Sequence, residues 1–213
     1  LKLFPNAKFI HLTRDYRDNI LSIKNVDFEA PVTALLAFRW KFAERRIYKL
    51  KIKNARIFYS IRYEDLVDKP DLHMKNLCSF IGIDYVPSIL EFHKKKDELF
   101  KNFDQEHIER YHSSLLRPIT SDKIYGWKKK MSQNDIKIAD RIVGKYAEIN
   151  GYERRFMSDG LPGLISMVWI IYGYFSYFQR FVVDALPFKM KMRIRNRGPL
   201  MAVLFNKYFT NST

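Results

Sequence analysis

Between Lys8 and Ser22 the chain passes without a break from a strand pattern into a helical one, and few folds accommodate that junction. Lys8-Phe9-Ile10-His11-Leu12-Thr13 reads as a buried parallel strand whose apolar run ends at Arg14. The helical pattern that follows carries Asp15 and Asp18 in its first turn and a hydroxyl at Ser22. A strand feeding straight into a helix is the building unit of an open α/β sheet. Such sheets bind anionic ligands at the carboxyl ends of their strands, because unpaired N–H groups and the helix dipole favour negative charge there. Arg14 falls at such a place. Ser22 lies eight residues on, a little over two helical turns, so its hydroxyl points within about a quarter-turn of the same face. A guanidinium fork plus a hydroxyl suits a phosphate monoester.

Two further segments have the same character. Ala55-Arg56-Ile57-Phe58-Tyr59-Ser60-Ile61-Arg62-Tyr63 reads as a second strand, rich in β-branched and aromatic residues. It runs into Tyr63-Glu64-Asp65-Leu66-Val67, then Lys69-Pro70 and a helix through Leu77, Phe80 and Ile81 that stops at Gly82. The third is a polar loop from Pro118 to Lys128 holding Thr120, Ser121 and Lys123, followed by a helix from Ser132 to about Asn150 and then Gly151-Tyr152. Between the strands, Pro31 to Ile52 reads as a long helix with Leu35, Leu36, Phe38, Phe42 and Ile47 inward and a basic opposite side. Trp40 within it reads as a core residue or the wall of a cleft.

Taken in order, these segments resemble the PAPS-dependent sulfotransferases. Arg14-Asp15-x-Arg17-Asp18-x-x-x-Ser22 after an apolar strand, preceded by Phe4-Pro5-x-Ala7-Lys8, is similar to that family's 3′-phosphate-binding segment. The resemblance implies that Arg14 and Ser22 hold the 3′-phosphate of the nucleotide sulfate donor. The Tyr63-Glu64-Asp65-Leu66 segment resembles the family stretch whose Tyr lies against adenine, a contact worth about 1–3 kcal/mol for a stacked base. Tyr125-Gly126-Trp127-Lys128 resembles the family's nucleotide-closing loop, implying that Thr120, Ser121 and Lys123 contact the donor. Many members show Gly-Arg-Trp where this chain has Tyr-Gly-Trp, so the register there differs by one residue. The fold implied is α/β, a P-loop-like parallel sheet flanked by helices. The co-substrate implied is 3′-phosphoadenylyl sulfate (PAPS), the acceptor an unknown hydroxyl or amine, and no metal is called for.

The family's Gly- and Ser/Thr-rich 5′-phosphosulfate loop belongs upstream of the arginine. Here thirteen residues precede Arg14 and the first glycine is Gly82, so no such loop fits between Leu1 and Thr13. The expectation is therefore a domain incomplete at its N-terminus and inactive alone, with residues 1–157 as the sulfotransferase portion and no catalytic base to nominate. The charge balance, 38 basic against 23 acidic residues, gives +15. That suits an anionic ligand and exceeds what one nucleotide requires. The single cysteine, Cys78, rules out an intrachain disulfide framework and reads as a buried small hydrophobe. The five histidines are scattered, and His107 and His112 are poorly spaced for a shared metal. His11 reads as a packed strand residue.

Beyond Tyr152 the composition changes, and residues 158–213 form a separate extension. Leu161 to Gln179 is nineteen residues without a charge, just long enough to graze the lower range of a membrane span. From Arg180 to Thr213 there are seven basic residues and one acid, Asp184. The alternatives are a helix packed on the core, an oligomer contact, or an interfacial membrane element through 161–197. No specific nucleic-acid partner is implied, and the compartment is expected to be cytoplasmic or membrane-associated. Two rival functions stand beside sulfotransfer: a P-loop kinase-like enzyme on the same sheet topology, and a basic membrane- or nucleic-acid-binding module without chemistry.

Overall fold

The computed structural model of the chain describes residues 5–26, 30–95, 100–101, 104–157 and 164–187. Two strands, β1 (Phe9–Thr13) and β2 (Phe58–Arg62), pair in parallel with Phe9 opposite Phe58 and Thr13 opposite Arg62. Each strand runs into a helix within a few residues: β1 into α1 (Tyr16–Ile23), β2 into α3 (Tyr63–Asp68) and then α4 (Pro70–Ile81). The crossover is α2 (Thr33–Lys53). Residues Ala55–Ile57, expected as the start of the second strand, form instead a 3₁₀ turn that carries the chain off α2 into the sheet.

The sheet is covered unequally. On one face His11 and Thr13 turn inward to Glu44 of α2, with His11 Nε2 3.1 Å from Oε2 and the Thr13 hydroxyl donating to Oε1 at 3.2 Å. A carboxylate 5% exposed in a helix is tolerated because two partners meet it. On the other face Tyr59 packs its ring on Phe80 of α4 at 5.6 Å, and Lys8 donates to the Ile81 carbonyl at the end of that helix. Ile10 and Leu12, expected inside a fully buried strand, are 50% and 53% exposed, because α4 covers β2 and not β1. The described structure is thus mixed α/β, a small parallel two-stranded sheet flanked by helices.

The core lies between α1, α2 and α7 (Gln133–Val143), where Tyr16, Ile20, Leu36, Ala37, Ile136, Ala139 and Val143 are buried. The helix expected over 132–150 is broken: Gly144 adopts φ 55, ending α7. A short turn, α8 (Tyr146–Ile149), follows and delivers Tyr152 against Trp40. Gly82 caps α4 in the left-handed conformation (φ 89), as the sequence reads. The charged 91–110 region supplies a 3₁₀ stretch, Pro87–Lys95, and α5 (Gln105–His112), and a single turn, α6 (Trp127–Lys130), precedes α7. Cys78 is buried on α4.

The aromatic segment is a 22-residue helix, α9 (Leu164–Ala185). No helix of the described residues is long and apolar enough to cross a membrane. It packs on α2, with Trp169 and Ile170 against the core. Gly173 permits the approach, because a Cβ there would fall 2.2 Å from the Phe38 ring. Phe38 is 3% exposed and has little room to move. Gly173→Leu should therefore cost about 1–3 kcal/mol of overpacking, read as a lowered urea midpoint with red-shifted tryptophan emission. An unchanged midpoint would show that α9 contributes nothing to the core. The basic stretch 188–213 lies outside the described residues.

Candidate nucleotide site

Arg14 sits where β1 ends, and its backbone is pinned by Trp40 Nε1, which donates to the Arg14 carbonyl at 3.1 Å. The next residue, Asp15, caps α1 by accepting from the Arg17 N–H at 2.9 Å. The same carboxylate takes the Arg17 guanidinium in a two-point pair at 2.9 and 2.8 Å. Arg17 is 4% exposed and lies flat on Trp127, its guanidinium carbon 3.7 Å from the ring centroid. The two arginines of the motif thus do different work. Arg17 is consumed by the fold, and Arg14 is left at the surface of the site.

The Arg14 side chain joins segments far apart in sequence. Its Nη2 donates to the Lys123 carbonyl at 2.6 Å, and its guanidinium lies over the Tyr63 ring at 5.0 Å. Its Nε–H is buried and finds no acceptor among the described residues. A buried, unpaired donor on a cation is a costly arrangement unless an acceptor from outside the chain completes it.

Beside this junction is a cavity of about 310 Å³, bounded by Tyr63, Leu66 and Val67 of α3, by Phe92, and by the loop from Ser113 to Lys123. Tyr63, Thr120 and Lys123 line it; Arg14 meets it through Tyr63 and Lys123; Ser121 and Ser22 do not line it. Ser22 is exposed on the last turn of α1. The Thr120 hydroxyl is bonded to Asp122 and holds that carboxyl below the usual carboxylate range. Arg117 adds a second basic side chain to the wall.

The loop is held by a residue that the motif reading overlooked. Asp18 accepts from the Tyr125 N–H at 2.7 Å and the Trp127 N–H at 2.8 Å. Burial raises its carboxyl pKa, and the Trp127 and Tyr125 N–H groups and the Arg14 charge pull against that rise. Tyr125 adopts φ 57, the left-handed region, in order to present both N–H groups to one carboxylate. Glu64 does the same for the strand ends, accepting from the Asp15 N–H at 3.0 Å and the Tyr152 hydroxyl at 2.8 Å. Acidic residues in the first turn of the helix that follows a strand are the available sequence signal for both. Their partners, more than 80 residues away in the case of Tyr152 and Glu64, carry none.

Chemically, the site offers a guanidinium, an aromatic wall, a hydroxyl and further cations, all suited to a phosphorylated, planar ligand. Among the described residues no group of three His, Cys, Asp or Glu is placed to hold a metal ion. Residues 1–87, which contain β1, Arg14, Ser22, β2 and Tyr63, match the model of the Sulfotransferase family. The match covers 87 of the chain's 213 residues. Protein-tyrosine sulfotransferase 1 of Danio rerio is 24% identical over 131 residues, 59% of this chain and 37% of the relative. The chain thus spans a little over a third of that sulfotransferase's length.

Proposed function

We propose that the chain is the donor-anchoring portion of a sulfotransferase that moves a sulfuryl group from PAPS to a hydroxyl or amine. The sheet is read as part of a P-loop-like parallel sheet, and residues 1–157 as its sulfotransferase portion. The observation that carries the reading is the convergence on Arg14 of the Tyr63 ring and the Lys123 carbonyl, with a buried Nε–H left over. At about 310 Å³ the cavity falls at the lower end of ligand pockets, about 300–1,000 Å³.

Bound PAPS supplies an activated sulfuryl group, whose S–O bond to the nucleotide breaks as the acceptor oxygen or nitrogen bonds to sulfur, leaving 3′,5′-ADP. The residues of this chain position that donor. Arg14 meets the 3′-phosphate with its guanidinium charge. Tyr63 presents its ring to the adenine. Lys123 and Thr120 border the phosphate from the loop, with Ser121 and Ser22 completing the set from outside the cavity wall. Asp18 and Arg17 keep the loop closed on Arg14 without touching the ligand. Catalysis then rests on positioning and cationic stabilisation, by analogy with phosphoryl transfer. Proton removal from the acceptor is assigned to no residue here.

The test is selectivity. In calorimetry the full chain should bind 3′,5′-ADP at least about tenfold more tightly than 5′-AMP, the margin of one charge-assisted phosphate contact. Equal affinities would remove the basis for the reading.

A further inference from the structure

The side of α9 not used against α2 carries Leu164, Val168, Ile171, Phe175, Phe178 and Val182, which are 43–84% exposed. They recur alternately four and three residues apart, so they form one row along the helix, about 27 Å long at 1.5 Å per residue. The opposite side is already engaged, with Trp169 and Ile170 half-buried against the core and Gly173 beneath Phe38. Such a row of large apolar side chains in water marks a surface built to be covered.

The charges on and after the helix indicate what covers it. Pairing with a second copy through a heptad seam draws its register and partner choice from charged flanking positions. Between Leu164 and Gln179 there is no charged residue at all. Immediately after the helix the balance reverses: residues 185–213 hold Lys189, Lys191, Arg193, Arg195, Arg197 and Lys207 and no Asp or Glu. An apolar face followed in the sequence by a cluster of cations complements an anionic lipid surface, which offers an acyl boundary beneath negative headgroups. We propose that α9 docks flat on anionic membrane, its exposed row entering the headgroup–acyl boundary while the basic stretch 189–197 binds the headgroups. The helix lies on the bilayer rather than through it. The proposal is independent of the nucleotide site.

The experiment is vesicle flotation of the full chain on phosphatidylcholine with and without phosphatidylserine. The chain should float with the phosphatidylserine vesicles and be released by salt. Replacing Lys191, Arg193 and Arg195 with Gln should lower partitioning by about fivefold per charge removed. Ile171→Glu with Phe175→Glu should abolish it with unchanged far-UV circular dichroism, since both side chains point outward. Should that pair unfold the chain, Phe178→Trp decides instead: its emission should shift to the blue on phosphatidylserine vesicles and be quenched by brominated acyl chains. Absence of partitioning, partitioning indifferent to both sets of variants, an unshifted tryptophan, or a dimer that depends on the row and ignores vesicles would each overturn the proposal.

Discussion

Arg14→Ala should weaken binding of 3′,5′-ADP by about ten- to a hundredfold while changing 5′-AMP affinity by less than about threefold. The expectation follows from what this side chain does in the fold. Its contacts are a bond to one loop carbonyl and a face-on position over Tyr63, and the core is built without it. What disappears is the cation and its buried, unpaired Nε–H, and a hydrogen bond to a charged group is worth about 1.5–3 kcal/mol. The loop survives the substitution because Asp18 holds Tyr125 and Trp127 independently. Arg14→Lys keeps the charge and loses the fork, and it should recover only part of the affinity. Equal losses for both nucleotides, measured by calorimetry, would mean that Arg14 does not discriminate the 3′-phosphate.

The largest stability effect is expected at Asp140, which is completely buried. Its carboxylate accepts from the Tyr16 hydroxyl and, at 2.8 Å, from the Phe156 N–H, tying α7 to the start of α1 and to the segment after Tyr152. Burial raises its pKa, with the Tyr16 and Phe156 donors and the Arg17 charge opposing. Asp140→Ala leaves the Tyr16 and Phe156 donors unsatisfied, each costing about 1–3 kcal/mol, so the loss should be about 2–6 kcal/mol. For a domain of ordinary stability, about 5–15 kcal/mol, that is a large fraction. Asp140→Asn keeps an acceptor oxygen and should fall between the two in urea denaturation. A loss below about 1 kcal/mol for the alanine variant would show that water replaces the carboxylate.

Local pattern carried the strand-to-helix junctions of the fold. The break at Arg14, the passage from Arg62 into Tyr63 and the left-handed Gly82 are each fixed by neighbours in sequence, so they could be read directly. The 3₁₀ turn at Ala55–Ile57 has strand-like composition and was hidden by it. Gly144 could have signalled the break in the last core helix, but a glycine inside a helical pattern is also tolerated there. The apolar run of β1 predicted burial on both faces, and only the position of α4 decides that Ile10 and Leu12 stay half exposed. In α2 the apolar stripe was visible in Leu36 and Phe38. Glu44 was not, because its burial depends on His11 and Thr13 arriving from β1.

The site divides in the same way. Arg14, Tyr63, Thr120 and Lys123, which the sequence singles out by residue type, meet in the structure at one junction and its adjoining cavity. Asp18, Arg17 and Glu64 act on this chain's own backbone and side chains, through partners between two and 109 residues away. Such roles leave an acidic or basic letter in the sequence and nothing to say what it holds. Ser22 stands apart from the cavity. Its spacing from Arg14 matches a phosphate clamp, yet its hydroxyl is exposed on the last turn of α1, outside the cavity wall.

The central claim is that Tyr63, the 113–123 loop and Arg14 build one nucleotide pocket. Photolabelling of the full chain with 8-azido-3′,5′-ADP, followed by peptide mass spectrometry, tests it most directly. The label should fall within 63–67 or 113–123 and be suppressed by excess 3′,5′-ADP but not by equal 5′-AMP. Labelling concentrated elsewhere in the chain, or labelling that 3′,5′-ADP does not suppress, would contradict the account.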